Sequence, residues 1–159
     1  MNIKIRQAVI SDYSNILNLI LEVHKLHLNN RPDVYKDIDT PLSEEEFKNM
    51  LNCDNSKVFV AKNTETNELV AYSLTLINTT GEHPMLQPKT FAYIDSFCVK
   101  SDCKKKGIGQ MLFQHILEFA KTKNASSVQL NVWEFNEDAI KFYEAMGMNT
   151  RNRRMELNI

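Results

Sequence analysis

The sequence predicts a single α/β domain: a central mixed β-sheet of six or seven strands flanked by about four helices. Two observations carry the fold class. Short runs in which apolar residues alternate are interspersed with longer runs in which they recur at helical spacing, and the two kinds mix along the whole chain. Their order is β-α-α-β-β-β-α-β-α-β-β, so the first half reads as antiparallel and the later β-α-β stretch as a parallel pair joined by a right-handed crossover. A third observation sets the domain count. The 159 residues suit one core, and no repeat, low-complexity segment or linker divides residues 1–159.

Residues 2–7 alternate and form the first strand. Ser11-Asp12 then precedes a helical stripe of Tyr13, Ile16, Leu17, Leu19, Ile20, Val23 and Leu26, with a capping residue in place. Residues 29–41 are polar and held by Pro32 and Pro41, which reads as a loop. Ser43 with Glu46 three residues on is a capping box that opens a short helix through Leu51. Residues 57–62 and 69–77 are β-rich runs around the turn-forming stretch 63–68, a hairpin. A fourth strand is expected over 91–99, a helix over 108–122, a strand over 127–133, and a helix from the cap Asn136 to Met146 with Gly147 just past its end. The tail 148–158 is expected to add one or two strands.

Composition is that of an ordinary globular protein: 43% hydrophobic, 25% charged, net charge −1. Neither nucleic acid nor a membrane surface is favoured as a partner. The charges are unevenly spread. Residues 31–46 hold six acidic and two basic side chains, whereas 100–106 holds four lysines and one aspartate, a split that fits an anionic ligand at one end of a cleft and a cationic one at the other. The three cysteines, Cys53, Cys98 and Cys103, lack any CxxC or His-paired spacing and read as reduced thiols, with neither a disulfide frame nor a metal site. The first residues alternate like a strand and no apolar run is long enough to span a bilayer, so a cytoplasmic location is expected.

The stretch Lys104-Lys105-Lys106-Gly107-Ile108-Gly109 stands between the fourth strand and the 108–122 helix. Lysines at a helix N-terminus oppose the dipole, and no Ser, Thr, Asp or Asn caps the helix there. Free N–H groups, local positive charge and two glycines together describe an anion site, best filled by a phosphate or pyrophosphate. The Walker pattern is absent, and the dinucleotide fingerprint fails because Leu112 stands where a third glycine belongs. A second constellation is Asn136-Glu137-Asp138-Ala139 through Phe142-Tyr143 to Gly147, a helix whose apolar face includes Tyr143.

Together these stretches resemble the GNAT family of N-acetyltransferases. Val99 to Gly109 resembles the family's acetyl-CoA turn, with Lys104 in place of the usual Arg or Gln. Asn136-x-x-Ala139-x-x-Phe142-Tyr143-x-x-x-Gly147 resembles its second motif, and residues 1–8 with Asp12 and Ile16 resemble its opening. The resemblance implies the GNAT fold, acetyl-CoA as co-substrate, no metal, and direct transfer of the acetyl group to a primary amine. It also implies roles for individual residues. The N–H groups of Lys104, Lys105, Lys106, Gly107, Ile108 and Gly109 would hold the pyrophosphate. The Phe97 N–H would stabilise the oxyanion and Val99 would pair with the pantetheine arm, which Asn136 helps to fix. Cys98, Ala139 and Phe142 complete the cofactor-contacting set. Tyr143, protonated at neutral pH because a tyrosine titrates near 10, would protonate the departing thiolate.

Asp95, two residues before Phe97, is the candidate base, because the amine must attack uncharged; Tyr93 stands where histone-acetylating relatives carry a glutamate base. Its competing reading is a polar contact in the cleft wall. His24 and His27 near the acceptor side read as a solvated helix end or a proton relay. The acidic 31–46 stretch points to a small cationic acceptor such as a polyamine or another primary amine. The competing readings are protein N-terminal or lysine acetylation and, from another class, a non-catalytic CoA-binding sensor. A homodimer through terminal strands is the family default.

Overall fold

The computed structural model describes residues 1–159. Its strands are β1 (Ile3–Gln7), β2 (Ser56–Asn63), β3 (Glu68–Thr79), β4 (Thr90–Val99) and β5 (Val128–Gln129); its helices are α1 (Tyr13–Asn30), α2 (Glu44–Asn52), α3 (Ile108–Thr122) and α4 (Glu137–Ala145). The strands form one sheet in the order β1-β2-β3-β4-β5. Every neighbouring pair is antiparallel except β4 and β5, which are parallel and joined through α3. The mixed α+β architecture is thus the expected one. No helix is long and apolar enough to cross a membrane.

The strand count is lower than expected, five against six or seven. The run at 127–133 pairs with β4 only at Val128 and Gln129, because the two strands diverge beyond Tyr93 and the rest of the run loses its partner. The tail 148–159 forms no strand. Its first half carries Arg151, Arg153 and Arg154, and its apolar residues Met155, Leu157 and Ile159 remain exposed, so no buried face repays the pairing. Beyond Met148 the tail is held by side chains, Arg151 to the Gln129 side chain and Glu156 to Arg31.

Both faces of the sheet are covered, which is why β2 and β3 read as nearly continuous apolar runs. On β2, Val58 and Val60 face α1 and α2 and join Ile16, Leu19, Phe47, Tyr72 and Leu74. Phe59 and Ala61 face the other way, with Val70, Ile94, Ile108, Leu112, Phe113 and Ile116. Each fully buried phenylalanine, Phe47, Phe59 and Phe113, contributes about 1.5–3 kcal/mol of transfer free energy. The two layers meet only through the sheet, so the strands carry both cores.

Local sequence signals account for most boundaries. Ser43 Oγ accepts from the Glu46 N–H while the Glu46 carboxylate accepts from the Ser43 N–H, the expected capping box. At α4 the Asn136 side chain accepts from the Ala139 N–H. Gly147, at φ 90°, ends that helix with Met148 N–H donating to the Tyr143 carbonyl. The start of α1 differs from expectation. Asp12 occupies the cap position without capping; its carboxylate instead takes a bidentate pair from Arg6 at 2.6 and 2.9 Å and the Val9 N–H at 2.9 Å. It welds β1 to the head of α1.

Gly109, in the first turn of α3, has a packing reason to be glycine. A Cβ there would lie 3.2 Å from the Phe142 ring and 3.5 Å from Val99, so α4 seats on α3 and β4 through this bare backbone. Gly109→Ala is expected to displace Phe142 and lower stability by about 1–3 kcal/mol, read as a lower urea midpoint with an unchanged slope; an unaltered midpoint would disprove the contact's importance.

Asp12 supplies a pH-dependent share of stability. Burial pushes its carboxyl up, but the Arg6 and Val9 hydrogen bonds outweigh burial and hold it below its ordinary 3.8. A depressed folded-state pKa contributes stability that is present above the unfolded value and lost as pH falls through the folded one. Asp12→Asn should therefore lower the unfolding free energy at pH 7 by roughly 1–3 kcal/mol. The difference from the parent chain should shrink as the pH drops below 3.8.

Candidate active site

The site is organised by an irregularity in β4. The register with β3 runs from Ala71 opposite Val99 to Leu74 opposite Ser96, then jumps to Thr75 opposite Ile94. Asp95 is the unpaired extra residue, a β-bulge that bends the strand. The bulge also resets which way each side chain points. Ile94 packs with the α3 layer, and so does Phe97 beyond the bulge, whereas Cys98 belongs to the α1 layer.

Beyond Tyr93 the outer edge of β4 has no strand beside it. Which groups lie on that edge follows from the ladder. Lys100 N–H donates to the Val70 carbonyl, so residues 98 and 100 address β3 and the alternate residues, Phe97 and Val99, turn their N–H and C=O outward. Ala92 is an outward residue too, and there β5 is still close enough for its N–H to reach the Ser127 carbonyl. The widening gap between β4 and the segment after β5 thus exposes the main chain at the two positions named from sequence.

At one end of this gap stands the Lys104–Gly109 turn. Lys105 and Gly107 both adopt positive φ, 59° and 80°. Such left-handed residues let successive N–H groups line one concave side of a turn. Gly107 is the N-cap of α3 and no side chain caps it. The first intrahelical bond runs from Met111 N–H to the Gly107 carbonyl, leaving the Ile108, Gly109 and Gln110 amides without an intrahelical acceptor. Lys104 and Lys105 are exposed and form no ion pair, Lys106 Nζ donates to the Asp102 carbonyl at 2.9 Å, and Lys100 is occupied by Glu68 and Asp102. Free amides and unpaired cations are the features that favour an anion.

On the α3 side of the gap, Tyr143 projects from α4 into an aromatic cluster. Its ring lies 6.2 Å from that of Phe97, 6.4 Å from Phe113 and 5.3 Å from Phe142. Burial there pushes its phenol above the usual 10, with the nearby Cys98 adding to the effect, so the hydroxyl stays protonated through and beyond the neutral range. Phe142 is a packing residue, 5.6 Å from Phe97; Ala139 is half-buried one turn earlier. The Cys98 thiol is buried on the α1 side, donates to the Leu19 carbonyl at 3.3 Å, and is pushed up to about 12 by burial and then Glu22. A protonated, buried thiol is a poor nucleophile.

The acceptor-side residues are placed differently from expectation. His24 and His27 form no solvated helix end. His24 Nε2 lies 2.7 Å from the Lys36 carbonyl, and His27 stacks on Tyr35 at 5.0 Å and meets the Phe135 ring edge-on. Burial, and then His24, hold the His27 ring below its usual range, so it is neutral near pH 7. Trp133 completes the cluster: its N–H donates to the Tyr35 hydroxyl at 2.8 Å and Arg31 lies over its ring at 4.9 Å. The acidic run is largely consumed locally. Asp33 pairs with Arg31, Glu46 closes the capping box, and Glu44 and Glu45 sit in the first turn of α2, where the helix dipole favours them. Tyr35, Tyr72 and Ser96 were missed in the sequence. Tyr35 in a polar loop looks like a surface residue, and only its pairing with Trp133, 98 positions away, reveals it.

Comparison with known proteins bears on the fold and the family. The BH1408 protein of Bacillus halodurans, solved as a tetramutant, superposes with a TM-score of 0.95 at 29% identity, covering 98% of this chain and 99% of that one. An uncharacterised N-acetyltransferase of Bacillus subtilis, YdgE, is 34% identical over 70 residues, 44% of this chain and 45% of its own. The probable N-acetyltransferase camello of Xenopus laevis is 28% identical over 72 residues, 45% of this chain and 33% of its own. The match thus spans less than half the length of these two relatives. The model of the acetyltransferase (GNAT) family matches residues 20–148, a range that takes in the β4 bulge, the Lys104–Gly109 turn and Tyr143, and the chain belongs to that family.

Proposed function

We propose that the chain moves the acetyl group of acetyl-CoA directly to the primary amine of a small molecule. The observation that carries this reading is the open outer edge of β4, bounded by the uncapped N-terminus of α3 at one end and the Asp95 bulge at the other. When bound, acetyl-CoA supplies an activated acyl thioester. The residues present fit it: the Ile108, Gly109 and Gln110 amides with Lys104 and Lys105 suit a pyrophosphate, and the outward Val99 peptide suits the amides of a pantetheine arm.

The Phe97 N–H is the proposed donor to the oxyanion that develops when the amine adds to the acyl carbon. A fixed main-chain donor needs no reorganisation as that charge forms. Asp95, exposed on the bulge, accepts or relays the proton that the incoming ammonium must lose, since such an amine is charged at neutral pH. The new C–N bond forms, the C–S bond breaks, and Tyr143 delivers a proton to the leaving sulfur; the nitrogen's second proton restores the tyrosine. The buried, protonated state of Cys98 argues against an acetyl-cysteine intermediate.

Tyr143→Phe tests the assignment. The variant keeps the aromatic packing and loses only the hydroxyl, so acetyl-CoA affinity by calorimetry should be unchanged while kcat falls by about 10²-fold or more. In the parent chain kcat should show no alkaline decline below pH 10, because the tyrosine is pushed above its usual value. Full turnover in Tyr143→Phe would remove the tyrosine from the mechanism, and an absence of acetyl-CoA binding to the parent chain would remove the function.

A further inference from the structure

A cavity of about 170 Å³ lies beneath α1 and α2 on the face of the sheet opposite α3. Its roof is Ile16 and Ile20 of α1 with Phe47 and Met50 of α2, and Leu74 forms part of its floor. The polar residues lining it are Tyr72, Asp95 and Ser96. Asp95 and Ser96 are consecutive at the bulge, and Tyr72 stands on β3 opposite Cys98, two residues on from Ser96, so the polar groups gather at one end. That end adjoins the reaction centre proposed above: the next residue, Phe97, turns its N–H to the open edge of β4, one strand step of about 3.3 Å away.

We infer that the acceptor is a small primary amine with a compact apolar body, a branched alkyl chain or a single ring, which fills this cavity and presents its nitrogen to Asp95 and Ser96. The inference rests on the acetyl-transfer reading and names the substrate class for the same site. The charge pattern of the lining decides the class. Asp95 is the only carboxylate in the cavity wall and no basic side chain lines it, so one ammonium is matched and a second would be buried without a partner, at a cost. The acidic 31–46 run cannot supply the missing counter-charge, because none of its carboxylates lines the cavity. This displaces the polyamine expected from charge patterning alone. An amino sugar is disfavoured for a related reason: its hydroxyls would face isoleucine, phenylalanine and methionine without partners. The volume corresponds to about five or six waters at about 30 Å³ each, the scale of one amino-acid side chain.

The test is thiol release from acetyl-CoA with 2-phenylethylamine, isoamylamine, spermidine, glucosamine and a short peptide with a free N-terminal Met. The two apolar amines should exceed the others in kcat/KM by at least about tenfold, the discrimination a hydrophobic pocket gives for small differences in fit. Met50→Trp, which fills the roof, should raise KM for 2-phenylethylamine by about tenfold or more. Acetyl-CoA affinity measured on the same variant reports whether the fold is intact. Preference for spermidine, glucosamine or the peptide, or an unchanged KM in a folded Met50→Trp, would overturn the acceptor class and leave acetyl transfer standing. Binding of acetyl-CoA with no thiol released to any amine would overturn the acetyl-transfer reading, and the acceptor class with it.

Discussion

One unpaired residue in a central strand sets the geometry of everything else. Asp95 interrupts the β3–β4 ladder, and because side chains alternate with a period of two, a single extra residue exchanges the faces of all that follow. Ile94 and Phe97 can therefore both belong to the α3 layer while Cys98 turns toward α1. The bend accompanies the parting of β4 from β5 after only two paired positions. An open sheet edge inside a domain is costly when its amides go unpaired, about 1–3 kcal/mol for each buried group. That open edge is what the proposed binding of acetyl-CoA would fill.

The chemistry is divided between two environments that the sheet keeps apart. At the α3 end, main-chain amides and lysines provide positive potential in contact with solvent, suited to a multiply charged group that need not be desolvated. At the bulge, the surroundings are apolar on both faces: phenylalanines around Tyr143 on one side and the α1–α2 cavity on the other. Burial pushes the phenols of Tyr72 and Tyr143 and the thiol of Cys98 toward their neutral forms. A site of neutral donors with one exposed carboxylate is suited to moving protons to and from a substrate without carrying lasting charge of its own.

The sequence was legible where a local signal and a tertiary need coincided. The Ser43–Glu46 capping box, the Asn136 cap, Gly147 past α4 and the Gly107 turn each state their role within a few residues, and the folded chain uses each of them. The β4 and α3 boundaries followed from periodicity. It was illegible where the answer depended on a distant partner. Ser127–Trp133 has the composition of a full strand, but strand formation requires a neighbour and the divergence of β4 removes it. Gly109 reads as a ligand-approach glycine, and its packing against Phe142 shows only in the fold. Asp12 reads as a cap until Arg6 claims its carboxylate. The acidic run reads as a cationic subsite until Asp33 is found on Arg31 and Glu44, Glu45 and Glu46 in the first turn of α2. The bulge itself leaves no signature, because an extra residue in a strand is defined only against the strand it fails to pair with.

The bond between Trp133 and Tyr35 joins two segments with different duties. Tyr35 lies in the loop that leads from α1 toward the cavity beneath α1 and α2, and Trp133 in the segment that feeds α4 and so carries Asn136 and Tyr143. The cluster of His27, Phe135 and Arg31 around them makes this a packed joint and not a single contact. The walls on the two sides of the sheet are therefore not independent. A molecule that orders one segment lowers the entropy left for the other to lose, and linkage makes that effect mutual. A pair of rings thus ties the loop after α1 to the segment that carries Asn136 and Tyr143.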